Sequence, residues 1–271
     1  MTLLAPRLID SAANAWVKEL RRLVQDPTGY RRQGRIWLEG DHLARAFLAR
    51  GGAPRTAVFS RSAWDDPNLR ALALNVPDVV VLSDVLMAQC STLESPPPLG
   101  FLIDVPGQEP GHAPRSMMTF QTVATVVLDR LQDAGNVGTI LRSAAALGVR
   151  QVLALKGTAA LWSPKVLRAG MGAHFALSLH EGLSADDLAT LPVPLLATSS
   201  HATSDPLHRL RLPQPCAWVF GHEGQGVSPA LMARCAHTVT IPQPGGEESL
   251  NVAAAAAICF YEAARQTVNF D

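Results

Sequence analysis

Three short stretches of this 271-residue chain gather most of the polar groups able to do chemistry. The first is DRLQDAGN at 129–136, followed six residues past Asn136 by Arg142. The second is GHEGQG at 221–226, with Glu223 set between glycines. The third is IPQPGGEESLN at 241–251, where Ser249 and Asn251 lead into an alanine-rich run. A guanidinium offers a two-pronged donor for a phosphate. A carboxylate in a glycine loop is free of packing duty, and backbone N–H groups at the start of a helix favour anionic groups. Gly221, Gly224 and Gly226 permit close backbone approach or positive φ. His222 and Gln225 fill the remaining places of that loop, and His222 reads as incidental rather than as a base.

The familiar cradles are missing. There is no GxxxxGK[ST], and the glycines at 221, 224 and 226 fall in the wrong order for a dinucleotide fingerprint. No GxSxG is present, which argues against an α/β-hydrolase. Cys90, Cys216, Cys235 and Cys259 are scattered without CxxC or HExxH, so neither a zinc site nor a disulfide scaffold is expected. They read as buried small hydrophobes in a reduced, cytoplasmic setting.

The elements that must carry these stretches follow from periodicity. Apolar strands are predicted at 123–128, 149–155, 193–197, 217–220 and 237–241, with helices at 137–147, 163–171, 228–235 and 250–265. Gly148 stops the first of these helices, Pro164 suits the first turn of the second, and Ser228 caps the third. Strands alternating with helices imply a parallel sheet covered on both faces. In such sheets ligands bind beyond the carboxyl ends of the strands, where all three polar stretches lie. Upstream, a helix at 12–24 with Trp16, Leu20 and Leu23 on one face precedes strands at 34–38, 56–59, 79–82 and 100–105. Asp41 is read as the cap of a helix reaching Arg50, and 65–75 and 84–90 are further helical candidates. Six prolines between 94 and 115 mark the junction. The expected organisation is a domain at 1–106, a linker at 107–119 and a second domain at 120–271.

Composition agrees with a folded α/β protein: 48% of residues are hydrophobic and 17% charged. No apolar run reaches the roughly 18 residues needed to span a bilayer, and no signal peptide is expected. The net charge is zero, but residues 1–60 carry ten Lys and Arg against five Asp and Glu. That basic excess is able to steer a polyanion.

NVGTILRSAAALG at 136–148 resembles motif 1 of the SpoU (TrmH-like) RNA 2′-O-ribose methyltransferases. FGHEGQG at 220–226 resembles motif 2, and Ile241-Pro242 with SLNV at 249–252 resembles motif 3. The three occur in order and at family-like spacing. KVLRAGMGA at 165–173 is similar to a further family segment, and RQGRIWLEG at 32–40 to the start of the family's N-terminal domain. The likeness is strong over 121–266 and looser over 9–105.

The resemblance implies an α/β fold: a SPOUT-type catalytic domain with a parallel sheet and a deep trefoil knot, preceded by a smaller L30e-like substrate-binding domain. It implies S-adenosylmethionine as cofactor, no metal, and a homodimer. It implies methyl transfer to a ribose 2′-OH of structured RNA, with ribosomal RNA favoured over transfer RNA. A transfer-RNA enzyme, an inactive RNA-binding homologue and a different nucleotide-binding α/β enzyme are the competing readings. Residue by residue, it makes Asn136, Arg142, Glu223, Ser249 and Asn251 the active-site polar groups. Gly221, Ile241 and Leu250 become cofactor positions, with Thr198 and Ser199 as further candidates. Lys18, Arg21, Arg22, Arg31, Arg32 and Arg35 would dock RNA. Simpler roles stand beside these: Asn136 and Ser249 as helix caps, Arg142 as a surface arginine, and Glu223 as a solvated loop acid or the partner of a cation such as Arg142. An arginine stays charged in proteins, so whether Arg142 removes the 2′ proton or stabilises the alkoxide is open. Gly170 and Ala253 stand where relatives often carry small hydroxyl residues.

Overall fold

The computed structural model describes residues 5–106, 119–199, 204–246 and 249–267. The chain forms two compact units, one of residues 1–114 with 162–175, the other of 115–161 with 176–271. All but the last residue of the expected linker at 107–119 lies outside the described residues.

The first unit is built on five strands: β1 (Arg7–Ile9), β2 (Arg35–Glu39), β3 (Thr56–Ser60), β4 (Val79–Leu82) and β5 (Leu99–Asp104). They lie in the order β1-β4-β3-β5-β2. The pairs β1/β4 and β4/β3 are parallel, and β3/β5 and β5/β2 antiparallel. The helices are α1 (Ala15–Gln25), α2 (Gly29–Gln33), α3 (Asp41–Leu48), α4 (Arg61–Asp65), α5 (Pro67–Arg70) and α6 (Asp84–Ala88). The expected apolar face of α1 is present, with Val17, Leu20, Leu23 and Val24 buried. It starts at Ala15, not at 12, because the Asn14 side chain accepts the Trp16 N–H. Asp41 is not the cap of α3: Gly40 holds that place, and Asp41 opens the first turn. Strand β1 was not expected, since three residues show no period.

The second unit holds β6 (Thr125–Asp129), β7 (Gln151–Leu155), β8 (Ser178–Leu183), β9 (Leu195–Thr198), β10 (Asp205–Pro206), β11 (Ala217–Gly221) and β12 (His237–Thr240). Every pairing is parallel, in the order β10-β12-β9-β11-β6-β7-β8. The central strands are apolar through their middles, Val126–Leu128 and Val152–Leu155 among them, because helices cover both faces. One face buries Val127, Leu153, Leu195 and Val219 against Leu231. The other receives α7 (Ala134–Ala146) and α10 (Val252–Thr267), which pack on each other. Phe220 of β11 meets Phe260 of α10 edge to face, with ring centroids 5.7 Å apart. The half-buried edge strand β8 escaped periodicity because His180 and Glu181 interrupt it.

Helix α8 (Pro164–Gly170), capped by Ser163, belongs to the stretch grouped with the first unit. Arg168 there reaches the buried Glu39 at 3.4 Å, and Phe175 meets Phe47 with centroids 5.0 Å apart. Helix α9 (Pro229–Met232) completes the set. Among the described residues, no helix is long and apolar enough to cross a membrane. Likewise, no group of three or more His, Cys, Asp or Glu side chains there is arranged to hold a metal ion.

Candidate active site

Strands β12, β9, β11 and β6 are neighbours and all run the same way, so their carboxyl ends open along one edge. At that edge the chain leaves a cleft of about 660 Å³. Thr198 and Ser199 line it from β9, residues 221–227 from β11, and Ile241, Gln243 and residues 249–252 from the segment before α10. The Thr198 hydroxyl donates to the Val219 carbonyl at 3.1 Å, and the Ser199 N–H to that of Val239 at 2.9 Å. These bonds lock the end of β9 between its two neighbours.

The 222–226 turn closes on itself. Gly226 and Gln225 donate N–H to the His222 carbonyl at 2.8 and 3.2 Å, and His222 Nδ1 accepts the Gly224 N–H at 3.0 Å. His222 thus shapes the turn. A Cβ on Gly221 would lie 2.1 Å from both Gly226 C and Val227 N. Only a glycine admits that approach.

Glu223 joins this turn to α7. Its carboxylate accepts the N–H groups of Gln132 and Asp133 at 3.3 and 3.2 Å, and the Asn136 amide at 3.4 Å. Asn136 Oδ1 in turn accepts from Asn251 Nδ2 at 3.0 Å. One chain of hydrogen bonds, Glu223–Asn136–Asn251, therefore connects all three polar stretches.

Three expectations are corrected here. Asn136 is not the cap of α7, which begins two residues earlier. Asp133 caps it, accepting the Asn136 N–H at 2.8 Å, and this frees the Asn136 amide for its two partners. Ser249 is not the cap of α10. Asn251 is, accepting N–H from Ala253 and Ala254 at 2.9 and 3.2 Å, so Ser249 faces the cleft instead. Glu223 does not pair with Arg142, because the α7 N-terminus, rich in unpaired N–H groups, takes the carboxylate first. Arg142 is exposed on α7, makes no hydrogen bond or ion pair among the described residues, and does not border the cleft.

Burial by itself would raise the Glu223 carboxyl. Backbone N–H groups of Glu223, Asp133 and Gln132, with the Asn136 amide, outweigh it and hold the pKa below the ordinary 4.5. A depressed carboxylate stabilises the fold above its unfolded pKa and loses that contribution as pH falls through the folded value. Melting temperature measured from pH 6 to 3 should therefore fall less steeply in Glu223→Gln than in the parent. Parallel curves would mean that the interaction contributes nothing.

Some participants were not expected. Asp129 is 2% exposed and accepts from Arg130 Nε at 3.0 Å and from the Ser228 N–H at 2.6 Å. Gln243 places on the cleft wall a buried Oε1 that has no hydrogen-bond partner among the described residues. The only hint in the sequence was a polar residue directly after an apolar strand, or between two prolines.

The basic residues of the first unit differ in their partners. Lys18 and Arg22 are exposed on α1, while Arg21 meets the Gln89 side chain and Arg32 pairs with Asp26. Arg31 lies over the Tyr30 ring, 5.4 Å from its centroid. Arg22, Gln33 and Arg35 border a common depression.

Comparison with known proteins matches residues 124–261 to the SpoU rRNA Methylase family. An uncharacterized tRNA/rRNA methyltransferase of Synechocystis is 35% identical over 95% of this chain and 93% of its own length. The 23S rRNA (uridine(2479)-2′-O)-methyltransferase of Streptomyces viridochromogenes is 26% identical over 96% and 92%. The crystal structure of the SpoU methyltransferase AviRb from the same organism, in complex with AdoMet, superposes with a TM-score of 0.77. It is 26% identical and covers 93% of this chain and 98% of that one. The matched region contains the end of β6, all of α7 and the glycine turn after β11, the parts that meet through Glu223 and Asn136. By sequence and by fold, this chain belongs to the SpoU rRNA methylase family.

Proposed function

We propose that the protein methylates a ribose 2′-OH of structured RNA, ribosomal RNA by preference, using S-adenosylmethionine bound in the cleft beyond β9, β11 and β12. The observation that carries this reading is that the 221–226 and 241–251 stretches wall one cleft and the Glu223–Asn136–Asn251 chain ties the third stretch to both. The cleft suits the cofactor on two counts. Gln243 presents a buried acceptor, unsatisfied among the described residues, for an amino or hydroxyl group, and Gly221 lets the backbone come close where a side chain would intrude. Thr198, Ser199, Gly221, Ile241 and Leu250 would hold it, largely through backbone and shape.

Bound there, S-adenosylmethionine supplies a methyl group already activated by its sulfonium charge. The chain's own residues have two tasks: to align the 2′ oxygen and to assist loss of its proton. Asn136, Glu223 and Asn251 fix the relative placement of the loops. Arg142, whose side chain has no partner among the described residues, binds the adjacent phosphate and stabilises the developing alkoxide. Ser249 faces the cleft and contacts cofactor or RNA. The 2′-OH also separates RNA from DNA as substrate. Lys18 and Arg22, with Arg35 and the neighbouring arginines at 21, 31 and 32, supply backbone docking in an L30e-like unit.

The same reading includes the knotted SPOUT chain path, a homodimer and a cytoplasmic location. The exposed strip of Ala254, Ile258 and Tyr261 at helical spacing on α10 supports the homodimer, and the buried thiols of Cys90, Cys216 and Cys259 support a reducing compartment. Burial pushes the Cys216 thiol up to about 12.

The test is to map ribose methylation in total RNA from cells with and without the gene, and to titrate the purified protein with S-adenosylmethionine. One or more 2′-O-methyl marks lost from ribosomal RNA are expected. Marks lost only from transfer RNA would reassign the substrate, and cofactor binding with no mark lost anywhere would favour an inactive RNA-binding protein.

A further inference from the structure

The loop after β6 carries a residue that none of the motif positions accounts for. Arg130 stands in the left-handed region at φ 61°, a conformation a residue with a Cβ adopts at some cost. Its N–H is taken by the Thr158 hydroxyl at 3.1 Å. Its side chain passes Gly157, where a Cβ would come within 3.3 Å of Arg130 Cγ. The guanidinium then fans out. Nε donates to Asp129 Oδ1 at 3.0 Å, Nη1 to Gln225 Oε1 at 2.9 Å, and Nη2 to the Gly226 carbonyl at 3.4 Å. Asp129 uses its other oxygen for the Ser228 N–H at 2.6 Å. The Asp129–Arg130 pair therefore holds the glycine turn at residues 225 and 226, and the chain just past it at 228, from the side of β6.

We infer that Arg130, acting through Gln225 and Gly226, is a positioning residue that sets cofactor affinity by holding the 222–226 turn against the cleft. The argument is one of pre-organisation. Two of the turn's five residues, Gly224 and Gly226, are glycines, which have the largest backbone freedom to lose on binding. A turn already fixed leaves less ordering for the ligand to bear. The planar fork of arginine reaches two acceptors on the turn and one on its own strand at once, which a single ammonium cannot. The inference rests on the reading of the cleft as the cofactor site. It assigns Arg130 no contact with cofactor or RNA.

The test uses the full chain as Arg130→Lys, Gln225→Ala and the double variant. Lys retains a cation beside buried Asp129, and Gln225→Ala leaves the Arg130–Asp129 pair untouched, so both variants should fold. Each single change is expected to weaken S-adenosylmethionine binding about three- to tenfold in calorimetry, the scale of one hydrogen bond. The double variant should bind no worse than Arg130→Lys. The KM for cofactor should rise while kcat at saturating cofactor and the KM for RNA stay unchanged. Amide exchange at Gly226 should quicken in both single variants without any ligand. Cofactor affinity within twofold of the parent in both variants, or effects that multiply in the double, would overturn the inference. If the parent fails to bind S-adenosylmethionine yet Gly226 exchange still quickens, the cleft assignment fails and the latch itself stands.

Discussion

Arg142→Ala is expected to reduce single-turnover methyl transfer by about a thousandfold while the melting temperature and the affinity for S-adenosylmethionine stay at parental values. The scale is that of removing one preorganised donor to a developing oxyanion, roughly 10²–10³ in rate. Preservation of the fold follows from what the side chain does in the fold. It is exposed on α7, outside the cleft lining, and bonds to nothing among the described residues, and substitutions at such positions typically stay within about 0.5 kcal/mol. A large rate loss with unchanged stability and cofactor binding is what distinguishes a group acting on substrate from one holding structure. Arg142→Lys refines the point. Lysine keeps the charge but cannot make the planar two-pronged contact. Activity restored to near the parental level by Lys would assign the role to charge alone, and little restoration would assign it to the fork. Full turnover in Arg142→Ala would remove the residue from the mechanism.

Arg142 also shows how far the sequence could be read. The central strands and the two long helices were legible because each is apolar on the faces it buries. Strand β4 was expected at Val79–Leu82 and stands there, and β11 ends at Gly221, one residue beyond the expected stop. The capping assignments at Asn136 and Ser249 failed for a common reason. DAGN at 133–136 and SLN at 249–251 each offer two residues able to cap a helix, and periodicity does not resolve which turn is the first. The structure resolves both in the same sense: Asp133 and Asn251 cap, which leaves Asn136 and Ser249 available to the site. Glu223 was recognised as a site residue, but its partners were not. An ion pair is the simplest expectation for a carboxylate, whereas the α7 N-terminus lies closer and presents several donors. Arg130 was invisible because its role depends on a backbone φ and on contacts across about 95 residues of chain that no local pattern encodes.

The glycines of the 221–226 turn permit a sharper test, because two that look equivalent in sequence differ in their surroundings. At Gly221 a Cβ would lie 2.1 Å from Gly226 C and Val227 N and 2.3 Å from the Gly226 carbonyl oxygen. All three are backbone atoms, so no side chain can rotate away, and the turn itself must move. At Gly224 a Cβ would meet only the His222 ring at 3.8 Å, an ordinary contact, and its φ lies outside the left-handed region. Gly221→Ala should therefore destabilise the fold by about 1–3 kcal/mol, the usual cost of forced overpacking. It should also weaken cofactor binding by about a hundredfold, since the displaced turn forms one wall of the cleft. Gly224→Ala should leave both nearly unchanged. Calorimetric titration with S-adenosylmethionine and thermal melting of the two variants side by side give the comparison directly. The contrast separates crowding from composition: the cleft depends on the space at 221, not on a glycine-rich sequence as such. Equal affinities in the two variants would mean that the turn after β11 does not wall the cofactor site, and the placement of the cofactor beyond β9, β11 and β12 would have to be abandoned.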